Sequence, residues 1–236
     1  MFLLWGGIVG ALLFLTVFTV DGATRPGYRP RRHPVSALAL GSRGWVQVAN
    51  FVVCGALILG GAVGAWLALL AGDRGWLGWL VSLLLAVFAV GLVLSGVFSM
   101  DPMRDYPPAE SSEPSGSTDE SAGSDTIDDS SVTGAEAGTG PMPVEPTRTH
   151  RIHDQLGGVV FLAMPALAFT GAALLFDGGR GLIWSGLGVL AGIAQLVLLG
   201  RFEREWEADG DHIGLVQRVM LMIGLGWIVL LLANFL

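Results

Sequence analysis

Six apolar runs, separated by charged breaks, organise this chain. Met1–Val20 carries no charge, and comparable runs cover Trp45–Gly72, Trp76–Met100, Leu156–Phe176, Leu182–Gly200 and Ile213–Leu236. At ~1.5 Å rise per residue, about 20 residues cross the ~30 Å hydrocarbon layer of a bilayer. Only helices and closed barrels satisfy their backbone polar groups there. The pattern predicts an all-α fold: a six-helix transmembrane bundle, with a long disordered acidic linker between helices three and four.

The breaks are of two kinds. Asp73-Arg74-Gly75 and Asp177-Gly178-Gly179-Arg180-Gly181 are tight turns on one face, while Asp21–Gly44, Asp101–Gln155 and Arg201–His212 are the longer connections on the other. Residues 1–105 form a first membrane half of three helices, 106–149 the linker and 150–236 a second half of three helices. Between Tyr106 and Thr149 the sequence is Pro, Ser, Gly, Thr, Asp and Glu with few large apolar residues. Such a segment cannot bury enough surface to offset its ordering entropy, and it is expected to be a solvated spacer. The two tight hairpins share an Ala-Leu-Leu approach (Ala68-Leu69-Leu70, Ala173-Leu174-Leu175) and a Trp exit (Trp76, Trp184), a weak sign of a duplicated helix pair.

Charge sets the orientation. All 13 basic residues are Arg, and 11 of them (Arg25, Arg29, Arg31, Arg32, Arg43, Arg104, Arg148, Arg151, Arg201, Arg204 and Arg218) fall on the face of the longer connections. The positive-inside rule places that face, and the linker with it, in the cytoplasm and both termini outside, in a multi-pass protein of the cell membrane. The first run has no basic segment before it and no small-x-small site after it, so it is expected to stay as a helix. The net charge of −7 is mostly a property of the linker, since 11 of the 20 acids lie between Asp101 and Glu145. The absence of Lys, together with 35 Gly, fits a high-GC prokaryotic source. Cys54 is the single cysteine, which excludes an intrachain disulfide or a cysteine-based metal site.

Gly60 with Gly64, and Gly188 with Gly192, stand four apart, where small residues let helix backbones approach closely. In so Gly-rich a chain the pairs point first to packing within one chain, and second to a homo-oligomer through the same faces. Trp45, Trp76, Trp79 and Trp184 sit near span ends, as interfacial rings do, and Pro165 falls inside the fourth span. The mid-span polar residues Asn50, Ser82, Thr170 and Gln195 are neutral. Ion-coupled transporters place an ionisable group near the midplane, so ion-driven transport is disfavoured.

The candidate chemistry therefore gathers at the cytoplasmic helix mouths. Asp101 ends the third span, His153 precedes the fourth, Arg218 lies inside the sixth, and Tyr28 is on the same face. Asp101 and His153 converging on the Arg218 guanidinium would satisfy groups that are otherwise costly to bury. Two readings stand. The cluster is a structural clasp, or it is a site in which Arg218 takes an anionic headgroup or phosphate, His153 acts as acid–base group and Asp101 is its orienter or a metal ligand. His150 and His153, three apart, give only a weak metal signal, and no metal or cofactor is predicted. No nucleotide-binding loop or Gly-x-Ser-x-Gly elbow is present, and neither is a feature for nucleic-acid binding.

These landmarks resemble domain-of-unknown-function family 998, prokaryotic six-helix membrane proteins without an assigned activity. The resemblance runs through Pro26-Gly27-Tyr28 and Val35-Ser36-Ala37-Leu38 (the family's Ile-Ser-x-Leu), then Asn50-Phe51 with Gly55. It continues with Gly96-Val97-Phe98 before Asp101 (Gly-x-Phe-Pro-x-Asp), His153, and Gly214 with Gln217-Arg218 (Gly-x-x-Glu-Arg). It covers nearly the whole chain apart from the linker, and it adds Ser36 to the polar set. Ser99 departs from the family's Pro, Gln217 from its Glu and His33 from an acid, which weakens a Glu–Arg–Asp catalytic set. The resemblance implies architecture and supplies no mechanism. The expected function is that of a multi-pass membrane protein of unknown activity whose Asp101, His153, Arg218, Tyr28 and Ser36 cluster binds anionic lipid or a partner. The alternative is an intramembrane enzyme acting on a lipid or prenyl substrate.

Overall fold

A computed structural model describes residues 1–71, 75–102, 106–108, 145–177, 179 and 181–236. The helices are α1 (Phe2–Thr24), α2 (Gly44–Ala71), α3 (Gly75–Val97), α4 (Arg148–Asp177), α5 (Leu182–Glu207) and α6 (Ile213–Ala233), with a short 3-10 turn at Val35–Ala39. All six are long and apolar enough to cross a membrane. The chain is a multi-pass membrane protein of six helices, as the pattern of runs predicts. Most of the predicted linker, residues 109–144, lies outside the described residues.

Chain order is ring order. Each helix packs against the next, α6 closes back onto α1, and α4 also touches α6 across the ring. Short connections make neighbours antiparallel, so all the longer connections collect at one end, here the Arg-rich end. The interior is filled by Phe14, Phe18, Leu85, Phe88, Met164 and Leu225, all fully buried. Leu83, Leu190 and Val197 point outward, where lipid rather than water surrounds them.

Small residues set the closest crossings. A Cβ on Gly7 of α1 would stand 2.8 Å from the Cα of Gly61 on α2, so nothing larger than glycine fits there. Gly64 lies against Leu3 and Leu4 of α1, Gly188 against Trp227 and Ala172, and Gly192 against the Phe169 ring. The glycine pairs singled out in the sequence thus serve contacts within the chain.

Two helices run about two turns past their apolar runs. The α4 helix begins at Arg148, eight residues before Leu156, and α5 continues through Arg201-Phe202-Glu203-Arg204-Glu205-Trp206-Glu207. A hydropathy reading stops at the first charge, whereas Arg, Glu and Trp continue a helix readily and Arg201–Glu205 adds an i,i+4 pair at 3.7 Å. The extra turns bring His153, Glu203, Trp206 and Glu207 onto helices, where their faces are defined.

Candidate functional site

The connection between α1 and α2 is tied down by buried arginines. Asp21, 3% exposed, accepts from Arg25 Nη2 at 2.5 Å and from Arg43 Nη2 at 2.8 Å. Arg25 also donates to the carbonyls of Leu38 and Arg43, and to Tyr106 Oη at 3.4 Å. Burial works against the Arg25 charge, but the bonds to Tyr106 and Asp21 outweigh it and raise the guanidinium pKa. Tyr106 is buried, with its ring 5.3 Å from Tyr28 and 5.2 Å from His33. The start of the predicted linker is therefore folded onto the bundle, because an aromatic ring there finds an aromatic and cationic pocket.

Arg218 is the second tie. Its guanidinium donates to the carbonyls of Pro30, His33 and Gly214 and to Tyr28 Oη, and lies over the Tyr28 ring at 5.3 Å. Tyr28 Oη in turn faces the carbonyls of His33 and Pro34. Burial pushes the Tyr28 hydroxyl pKa up to about 12, against the opposing pull of Arg218. The backbone N–H of Leu215 donates to Arg31 O, and Val35 N–H to Gln217 Oε1 at 2.5 Å, fastening the same connection to α6.

Asp101 does something else. Its carboxylate accepts from the N–H and hydroxyl of Thr147, at 2.8 and 2.6 Å, and Thr147 Oγ1 accepts from the N–H of His150. This is a nested N-cap for α4, with a negative charge at the positive end of the helix. The Thr147 bonds hold the Asp101 carboxyl below its ordinary range. The expected convergence of Asp101, His153 and Arg218 is corrected here: Asp101 and Arg218 share no bond among the described residues. The reason is local supply. Arg218 finds carbonyls in the connection that docks on α6, and Asp101 finds the N–H and hydroxyl of Thr147, the residue just before α4. Of the five candidates, Tyr28 joins Arg218, while Ser36 and His153 lie elsewhere.

Both line a cavity of about 260 Å³ inside the ring, to which all six helices contribute. Its walls include Phe14, Phe51, Leu92, Met100, Val160 and Leu221, all buried. The exposed lining residues Asp154, Gly158, Glu203 and Glu207 belong to α4 and α5, so the mouth lies between those helices at the Arg-rich end. A Cβ added at Gly157 or Gly158 would meet nothing within 4 Å, and these glycines leave the gap open. Phe161, Phe202 and Trp206 stack along one side, 5.3 and 5.8 Å apart.

Four polar side chains line this apolar space while more than nine-tenths buried, Ser36, Ser95, His153 and Gln217, and Ser95 is already satisfied, its Oγ donating to the Gly91 carbonyl at 2.9 Å. His153 Nδ1 is 2.7 Å from the carbonyl of Phe98. A carbonyl only accepts, so Nδ1 carries the proton and a neutral ring keeps its lone pair on Nε2. Gln217 uses Oε1 on Val35 and retains its NH2 as a donor. No hydrogen bond to protein reaches Ser36 Oγ or Gln217 Nε2 among the described residues. No group of three or more metal-ligating side chains occurs among the described residues either.

Sequence reasoning missed Asp21, Arg25, Arg43 and Tyr106 as a network, although Asp21 and Arg25 stand four apart at the end of a span. It also missed the cavity and its α5 wall, having placed Glu203, Trp206 and Glu207 in a loop. Neither the curated proteins nor the solved structures gave a match to this chain. One family does match, described as "Protein of unknown function (DUF998)", over residues 8–234. With nearly all of its length and all six helices inside that match, the chain belongs to the DUF998 family.

Proposed function

We propose that this membrane protein takes the apolar chain of a membrane amphiphile into the cavity through the gap between α4 and α5. The observation that carries the reading is the cavity itself: about 260 Å³, walled mostly by apolar residues with a few buried polar side chains, and open between α4 and α5 at the Arg-rich end. A dry apolar cavity of ~150 Å³ already takes up benzene, so this one has room for a substantial stretch of hydrocarbon. The polar end would then lie inside the mouth, where Ser36, His153 and Gln217 line the cavity. Arg218 is not the ligand-binding group in this reading, because its donors are already engaged by Pro30, His33, Gly214 and Tyr28. The eleven-to-two distribution of Arg supports a cytoplasmic position for the mouth.

Native mass spectrometry of the full chain released from lipid nanodiscs tests the reading. A bound amphiphile at one per chain, lost when Gly157→Leu fills the cavity, is the expected result. Clean protein, or adducts unchanged by that substitution, would overturn it. A second reading, an enzyme acting on a lipid or prenyl substrate, is favoured by one observation: His153 keeps an unprotonated Nε2 in the cavity that Ser36 Oγ also lines. Turnover of a bound lipid that stops in His153→Gln would support it, and binding without turnover would set it aside.

A further inference from the structure

We infer that the polar end of the bound amphiphile is a hydroxyl: the cavity is built for a membrane alcohol in preference to an amphiphile with an ionised end. The inference rests on the reading above and adds to it the chemistry of the ligand. Ser36, His153 and Gln217 present three unsatisfied polar atoms to an otherwise apolar space. Gln217 Nε2 is a donor, His153 Nε2 in the neutral ring is an acceptor, and Ser36 Oγ is both. A hydroxyl donates one hydrogen bond and accepts two, which is the complement these three groups call for.

Ionised ends match less well. A carboxylate or phosphate only accepts, so it faces the His153 lone pair with nothing to offer. Among the described residues no Arg lines the cavity, and the exposed acids at the mouth, Asp154, Glu203 and Glu207, oppose a second negative charge. An ammonium only donates, which leaves the Gln217 NH2 unpaired, and burying its charge costs more than burying a hydroxyl. Leaving one buried polar group unpaired weakens binding about tenfold or more.

Trp206 on the cavity wall reports occupancy. The full chain in phosphatidylcholine nanodiscs is titrated at pH 7 with three eleven-carbon chains that carry a terminal bromine and end in a hydroxyl, a carboxylate or an ammonium. Quenching is read as the difference between the unmodified protein and Trp206→Phe. The expected result is a midpoint for the alcohol at least about tenfold below the other two, with that preference reduced in Ser36→Ala. Equal midpoints, or a tighter ionised chain, would overturn the hydroxyl assignment while leaving chain uptake intact. If no chain quenches Trp206, or if Gly157→Leu leaves quenching unchanged, the uptake reading fails and the assignment falls with it. The comparison among probes needs no substitution among the three polar residues, so it does not depend on Ser36→Ala folding.

Discussion

Removing the Arg218 guanidinium should be among the most damaging single changes in this protein, and the loss should depend on Tyr28 rather than Asp101. Arg218→Met keeps much of the apolar stem but withdraws a charged donor from three carbonyls and the Tyr28 hydroxyl, all in a buried setting. Hydrogen bonds from charged groups contribute about 1.5–3 kcal/mol each, and an unsatisfied buried acceptor costs about 1–3 kcal/mol. Relaxation of the Pro30–Pro34 connection recovers part of this, which leaves a net loss of about 3 kcal/mol, within the range for breaking a buried polar network. For a chain of this size that is a fall of about 6–12 °C in Tm. Tyr28→Phe removes one partner only and should cost about 1 kcal/mol. Thermal unfolding in one detergent, followed by tryptophan fluorescence, gives the two double-mutant cycles. The Arg218–Tyr28 pair should be non-additive by about 0.5–3 kcal/mol, whereas Arg218→Met with Asp101→Asn should add within about 0.5 kcal/mol. Strong coupling between Arg218 and Asp101, with none between Arg218 and Tyr28, would refute this account of how the connection is held.

Asp21→Asn should cost about 3–5 kcal/mol in the same assay, because it removes the carboxylate shared by Arg25 and Arg43 and leaves Arg25 buried without its counter-charge. Burial holds the Tyr28 pKa at about 12 when folded, above its ordinary value, so its contribution to stability is complete below about pH 10 and lost as pH rises toward 12. Thermal unfolding between pH 9 and 12 should show that fall, and Tyr28→Phe should flatten it. Gly7→Ala should lose about 1–3 kcal/mol by overpacking against Gly61, while Gly157→Ala, whose Cβ meets open space, should be neutral or slightly stabilising. In a Cys54→Ser background, an impermeant maleimide added to intact cells should label Leu236→Cys and spare Glu145→Cys; the reverse pattern would invert the orientation.

What was legible in the sequence was whatever a hydropathy pattern encodes. The six spans, their order and the gathering of long connections at one end all follow from where charges interrupt apolar residues. Partner choice did not follow, because it depends on which free backbone groups lie nearby. Arg218 was recognisable as a charge needing partners, but its partners are mostly carbonyls, which carry no sequence signature. Asp101 was recognisable as an ionisable residue at a helix mouth. Its role as a cap required knowing that α4 begins at Arg148, eight mostly charged and polar residues earlier than hydropathy alone suggests. The cavity was invisible for a different reason. It arises from ring closure and from the missing side chains of Gly157 and Gly158, and a missing side chain reads in sequence as ordinary helix packing.

Photo-crosslinking with peptide mapping tests the central claim, a chain-binding cavity between α4 and α5, most directly. A long-chain alcohol carrying a diazirine in its chain is equilibrated with the protein in nanodiscs, irradiated, and the labelled residues are located. The cavity account predicts labelling concentrated at residues 153–161 and 199–206, removed by excess unlabelled alcohol and by Gly157→Leu. Labelling spread evenly over outward residues such as Leu187, Leu190, Ile193 and Val197, and indifferent to competitor, would mean that the chain only dissolves in the surrounding lipid, and would contradict it.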